Sequence, residues 1–288
     1  KNMWVLYAFG SAFFAGITSI LAKCGIKKTD SNVATAIRTI VVLIFSWIMV
    51  FISKSQSTLY NINTKTLIFL ILSGIATGAS WLCYFKALQI GDVNKVTPID
   101  KSSTILTMLM AFIFLGEEIT FIKGISMILI GIGTYLMIIK KENVTVENKS
   151  NAWLIYALGS AIFASLTSIL GKVGIENIDS TLGTAIRTIV VLIMAWIVVF
   201  VSKKQNTIRD IDKNSWIFLF LSGIATGGSW LCYYRALQMG PASIVVPIDK
   251  LSILVTIVFS YIVFKEKLNK KSALGLLLIV IGTLSLLF

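Results

Sequence analysis

The chain has 288 residues, of which 56% are hydrophobic and only 14% charged, with a mean hydropathy of +0.87. A soluble domain carries roughly a quarter charged residues, so this composition excludes a water-soluble enzyme or a nucleic-acid-binding domain and indicates an integral membrane protein. The net charge of +13, from 26 Lys+Arg against 13 Asp+Glu, is read as the basic loops of a membrane protein, with no nucleic-acid partner.

Five apolar stretches come first, at about 4–22, 32–52, 67–88, 96–115 and 121–139. Each is roughly 30 Å long as a helix, enough to cross the hydrocarbon core of a bilayer. The first is too long for a signal peptide and is read as a spanning helix. After a polar linker at 140–152, five more follow at about 153–171, 181–201, 216–237, 245–264 and 270–288. Pro98 and Pro247 fall near the start of the fourth stretch of each half, where a helix tolerates proline best. The expected fold is an all-α membrane protein of ten transmembrane helices.

The two halves are copies. Trp4–Ala12 matches Trp153–Ala161, and Ser73–Tyr84 matches Ser222–Tyr233. A constant offset of 149 aligns 4–139 with 153–288, with 69 of 136 positions identical. The domains are therefore 1–139 and 153–288. Five is odd, so the second half starts on the opposite side of the membrane, and the two repeats are inverted. On this topology six basic residues fall on the N-terminal face and sixteen on the other. The positive-inside rule puts the richer face in the cytosol and both termini outside, with a bacterial cytoplasmic (inner) membrane as the expected location.

Six ionisable residues fall inside spans: Arg38, Arg187, Asp100, Asp249, Lys101 and Lys250. Each would cost about 2.5–3.5 kcal/mol facing lipid, so they are expected to line a bundle interior or a wet cavity. Two clusters result, related by a pseudo-twofold axis. Arg38, Asp100, Lys101, Trp81 and Tyr84 form one; Arg187, Asp249, Lys250, Trp230 and Tyr233 form the other, with Ser103 and Ser252 as candidates to line the path. Both clusters are candidates for binding an anionic or zwitterionic substrate. Asp100 and Asp249 are the acidic residues well inside the spans, and so the candidate proton sites. A structural alternative stays open, in which Arg38 pairs with Asp100 and Lys101 snorkels to the interface. The Gly74-xxx-Gly78 and Gly223-xxx-Gly227 motifs are read as close helix packing.

These residues, twice and in order, resemble the EamA-domain family of the drug/metabolite transporter superfamily. The carrying features are Arg38 and Arg187, the Tyr-x-x-Ala-Leu at Tyr84–Leu88 and Tyr233–Leu237, Pro98 and Pro247, and Gly116-Glu117. Lys265-Glu266 departs from the Gly-Glu pattern. The Pro-Ile-Asp-Lys segments are similar to stand-alone five-helix members, as if two such units were fused. The resemblance implies a transporter, often an exporter, of small metabolites; the inverted repeats add the expectation of secondary active transport by alternating access between them. The resemblance also implies cytosolic termini, where the expectation here follows the charge count instead. The partners expected are a small-molecule substrate, a proton and the lipid bilayer, in a monomer or homodimer. With no His, no CxxC and no GxxxxGK[ST], neither a cofactor, a metal nor nucleotide-driven transport is expected, nor enzymatic activity. An alternative reading is a flippase or carrier subunit for a lipid-linked head group.

Overall fold

A computed structural model describes residues 3–25, 29–90, 99, 101–138, 152–265 and 267–288. The first half contributes α1 (Met3–Gly25), α2 (Ser31–Ile52), α3 (Thr64–Ile90), α4 (Ser103–Phe114) and α5 (Phe121–Ile138). The second contributes α6 (Ala152–Gly174), α7 (Ser180–Val201), α8 (Lys213–Met239), α9 (Ala242–Lys250), α10 (Ser252–Phe264) and α11 (Lys270–Ser285). Among the described residues seven apolar segments are long enough to cross a membrane, the stretch Ala242–Val263 spanning α9 and α10 being one. Shorter apolar helices add to them.

Hydroxyls and carboxylates set several helix ends. Asp30 caps α2 by accepting from the N–H groups of Asn32 and Val33. Its copy Asp179 caps α7 through Thr181. Both helices then end in a lysine of left-handed conformation, Lys54 and Lys203, at φ 57 and 56.

The outer surface is apolar, as a bilayer demands, and many small hydroxyls are buried among the apolar side chains of the interior. Leu6, Phe51, Ile128 and Phe200 are exposed, whereas Ser11, Ser46, Ser73, Ser126 and Ser222 are fully buried. Small hydroxyls can bond the backbone of their own helix and pack closely against a neighbour. Ser126, for example, donates to Ile122 O at 2.8 Å and lies 2.7 Å from the Ser285 hydroxyl.

The main contacts run between the halves. α1 packs along α8 and α3 along α6; α2 meets α7, and α5 meets α11. In repeat terms, the first helix of each half packs on the third of the other, the second on the second, and the fifth on the fifth. The inverted repeats thus interlock around a pseudo-twofold axis. The glycine motifs sit where helices touch. A Cβ on Gly74 would lie 2.7 Å from the Cβ of Val190, and one on Gly223 would lie 2.6 Å from the Cβ of Val41. This is the packing role expected of them.

The fourth span of the second half departs from expectation. It begins at Ala242, after Pro241, rather than near 245, so Pro247 stands in the helix interior instead of near its start. Pro241 already supplies the fixed φ suited to a helix start. Pro247 has no N–H with which to continue the ladder. Four residues on, the span breaks at Leu251, where Leu251 N bonds Ile248 O and Leu254 N bonds Leu251 O in tighter i→i+3 steps. Asp249 and Lys250 sit at this break. Pro98, the copy of Pro247, lies outside the described residues.

Candidate functional site: a cationic cavity between the repeats

Three serine and threonine positions recur on one face of the third helix in each half. Ser73, Thr77 and Ser80 stand four and three residues apart on α3, and Ser222, Thr226 and Ser229 repeat them on α8. Residues at this spacing share a helix face. On α3 the face meets α6: Ser73 donates to Thr167 O, Thr77 lies 3.2 Å from the Thr167 hydroxyl, and Ser80 donates to Ser160 O. On α8 it meets α1 through the copied pairs: Ser222 donates to Thr18 O, Thr226 to the Thr18 hydroxyl, and Ser229 to Ser11 O.

Four of these hydroxyls, those of Thr77, Ser80, Thr226 and Ser229, line a cavity of about 370 Å³ between the halves, within the usual range for a small-molecule site of about 300–1,000 Å³. Its wall includes Arg38, Trp81, Arg187, Trp230, Asp249 and Lys250, with Tyr233 and Tyr234 beside them. Charges from α2, α7 and α9 thus meet in one space. Three cations face a single carboxylate among the described lining residues.

The two arginines are held by hydroxyls of the opposite half. Arg187 donates from Nε to Ser73 Oγ at 2.8 Å and from Nη2 to Thr77 Oγ1. Its guanidinium also lies 5.3 Å from the Trp230 ring and 4.9 Å from the Tyr234 ring, distances that suit cation–π attraction. Arg38 donates from Nη2 to Thr226 Oγ1 at 2.8 Å. Thr226 is the copy of Thr77, so the crossed contact is made twice. Each arginine keeps one buried nitrogen without a partner, Nε in Arg38 and Nη1 in Arg187. Asp249 accepts from the Ser11 hydroxyl, which lies 3.2 Å from the Ser229 hydroxyl. The Tyr233 and Ser168 hydroxyls are 2.7 Å apart.

Of the expected site residues, Arg38, Trp81, Arg187, Trp230, Tyr233, Asp249 and Lys250 gather in this cavity. Tyr84, Lys101, Ser103 and Ser252 are not on its wall. Tyr84 packs with Ala87, Ile99, Trp153 and Ala157. Lys101 is exposed. The Ser103 carbonyl accepts from Ser165 on α6, and the Ser252 carbonyl faces Gly16 on α1, so both lie at packed helix crossings. Asp100 falls outside the described residues. The sequence reading missed Thr18, Thr77, Ser80, Thr167, Ser168, Thr226, Ser229 and Tyr234, all on the cavity wall. The hydroxyls on α3 and α8 carried a signal, since they recur at the 149 offset with helical spacing. Tyr234 carried none of that kind, because its copy is Phe85.

One end of the bundle is tied across the halves. Glu117, in the turn between α4 and α5, accepts from Ala242 N at 2.6 Å and Ser243 N at 3.0 Å. It thereby caps the first turn of α9, where a carboxylate is favoured by the free N–H groups and the helix dipole. Lys172, near the end of α6, bonds Gly240 O and lies 3.8 Å from the Glu117 carboxylate.

The sequence and fold have clear relatives. A Sinorhizobium sp. protein described as an uncharacterized transporter in the cobO 3′ region is 43% identical over 137 residues, 48% of this chain and 97% of that protein. An uncharacterized transporter of Bacillus subtilis is 24% identical over 161 residues, 55% of this chain and 50% of that one. An uncharacterized protein of Methanocaldococcus jannaschii is 29% identical over 134 residues, 46% of this chain and 94% of that protein. The first and third are thus about the size of one repeat. A crystal structure superposes with a TM-score of 0.79 over 99% of this chain and 98% of its own, at 13% identity, which shows a common fold. The EamA-like transporter family matches both repeats, at residues 2–139 and 151–288. With a match over nearly its whole length, the chain belongs to the EamA-like transporter family and is an integral membrane transporter.

Proposed function

We propose that the chain is a secondary active transporter that exports a small polar metabolite bearing an anionic group, either an anion or a zwitterion. The observation that carries this reading is the charge of the cavity. Arg38, Arg187 and Lys250 face it with Asp249 as the one described carboxylate on its wall. Arg38 and Arg187, kept at this depth, are costly unless a partner offsets them, and an anionic substrate is such a partner. Trp81 and Trp230 supply flat apolar walls. Asp249 suits a substrate ammonium group or a coupling proton, with Asp100 proposed as its counterpart in the other repeat.

Alternating access follows from the inverted repeats. Arg187 is 2% exposed, while its copy Arg38 is partly exposed, and Glu117 and Lys172 tie the end nearer Arg187. This asymmetry supports a conformation closed toward the N-terminal face. Exchange of the two arginine environments would open that face and close the other. The charge count supports placing both termini outside a bacterial inner membrane.

A thermal-shift screen of the purified protein tests the substrate class. Its panel holds amino acids, organic acids, sugar phosphates and amines. A ligand that binds the native state raises its apparent stability. Stabilisation by anions or zwitterions, lost in Arg38→Gln, is expected. Stabilisation by amines alone, or a hit unchanged in the variant, overturns the reading.

A further inference from the structure

A second cleft, of about 820 Å³, lies at the other end of the bundle, where the starts of α2 and α6 meet the ends of α3 and α7. Lys86, Lys203 and Lys204 stand on its wall with Asn32 and Tyr156, over a floor that includes Leu82 and Val198. All three lysines are exposed. The flank is apolar and open: Ile155 is 72% and Val201 69% exposed, as lipid-facing side chains are.

The inverted repeat supplies an internal control. The positions matching Lys86, Lys203 and Lys204 are Arg235, Lys54 and Ser55. There Arg235 bonds Gln238 at 2.9 Å, and Ser55 donates to Asp179 at 2.9 Å. At these positions the first end therefore carries three cations and the second end two. The two ends share their helices and differ in charge.

We propose that this cleft binds the phosphodiester headgroup of an anionic phospholipid. The lysines surround the phosphate, and Tyr156 sits at the interface as amphipathic aromatics do. The acyl chains run down the apolar flank beside Val201. Basic pockets between transmembrane helices suit such headgroups. The apolar floor and flank favour a lipid over a soluble anion, which has nothing to place against them.

The test is native mass spectrometry of the full chain with phosphatidylglycerol and phosphatidylcholine of equal acyl length. Preferential retention of phosphatidylglycerol is expected. Lys86→Gln/Lys203→Gln/Lys204→Gln should weaken it by roughly tenfold or more, while Lys54→Gln at the matching position leaves it unchanged. Should the triple variant not fold, Lys204→Ser carries the test, since the matching end already holds serine there; a loss of a few-fold is expected. Equal retention of the two lipids, or no change in either cleft variant, overturns the proposal. So does inorganic phosphate displacing phosphatidylglycerol at millimolar concentration, which would make the site one for a free anion.

Discussion

Arg38 and Arg187 occupy the same position in the two repeats and sit in different surroundings. Arg187 is enclosed, with two hydroxyl partners and two aromatic rings around it. Arg38 is partly exposed and has one hydroxyl partner, Thr226. A symmetric fold holding its symmetric residues unequally is what one half-cycle of a rocking transporter requires. Hydrogen bonds to a charged group contribute about 1.5–3 kcal/mol each. Arg187→Gln should therefore destabilise the protein by about 3 kcal/mol and Arg38→Gln by about half of that. Denaturant unfolding in micelles measures both. Equal losses would contradict the asymmetry.

Close helix crossings yield a second prediction. Alanine at Gly74 or Gly223 must displace Val190 or Val41, because the new Cβ would come within 2.7 or 2.6 Å of a branched side chain. Overpacking of this kind costs about 1–3 kcal/mol. Gly10→Ala is the contrast: its Cβ would lie 3.6 Å from Cys232 Sγ, an ordinary contact. That variant should match or slightly exceed the wild type in melting temperature, with the other two well below it.

Much of this architecture was legible in the sequence, and the reasons are physical. A bilayer admits few solutions, so apolar length and an odd-numbered repeat specify spans and inversion. Buried charge is costly enough that Arg38, Arg187 and Asp249 are expected in an interior, and all three line the cavity. Hydroxyls were harder. Ser and Thr in a spanning helix can bond their own backbone, so composition alone does not separate Ser103, which packs at a crossing, from Thr77, which braces Arg187. Only the helix face that Thr77 shares with Ser73 and Ser80 does so. The start at Ala242 has its signal in Pro241, whose fixed φ suits a helix start; the break at Leu251 has no such signal in the sequence.

Asp179 makes stability depend on acid. Burial acts to raise its pKa, but the Ser55 hydroxyl and the N–H groups of Thr181 and Leu182 outweigh that and hold it below its ordinary 3.8. A carboxyl depressed on folding contributes stability above its unfolded pKa, and that contribution is lost as pH falls through the folded value. Asp179→Ala should cost about 1 kcal/mol at neutral pH, as the loss of a helix cap does. Below pH 3.8 the difference from wild type should shrink. A difference constant down to pH 3 would contradict the role of the charged cap.

The Glu117 cap makes a local prediction. Glu117→Ala removes the acceptor for Ala242 N and Ser243 N and the partner of Lys172. Hydrogen exchange at the first turn of α9 should speed up by about tenfold, in line with a lost charged cap of about 1–2 kcal/mol. Exchange across α2 should not change. Unaltered exchange at Ala242 and Ser243 would mean that Glu117 holds nothing closed.

Transport itself tests the central claim most directly. Proteoliposomes carrying the wild type, Arg38→Gln or Asp249→Asn would be loaded with a pooled set of labelled amino acids and organic acids, and efflux followed under an imposed pH gradient. The wild type should release one or more compounds bearing a carboxylate. Arg38→Gln should release them at least about tenfold more slowly, the loss of one charged hydrogen bond to substrate. Asp249→Asn should no longer respond to the gradient. Full gradient-driven efflux through both variants would contradict a cationic substrate cavity coupled at Asp249.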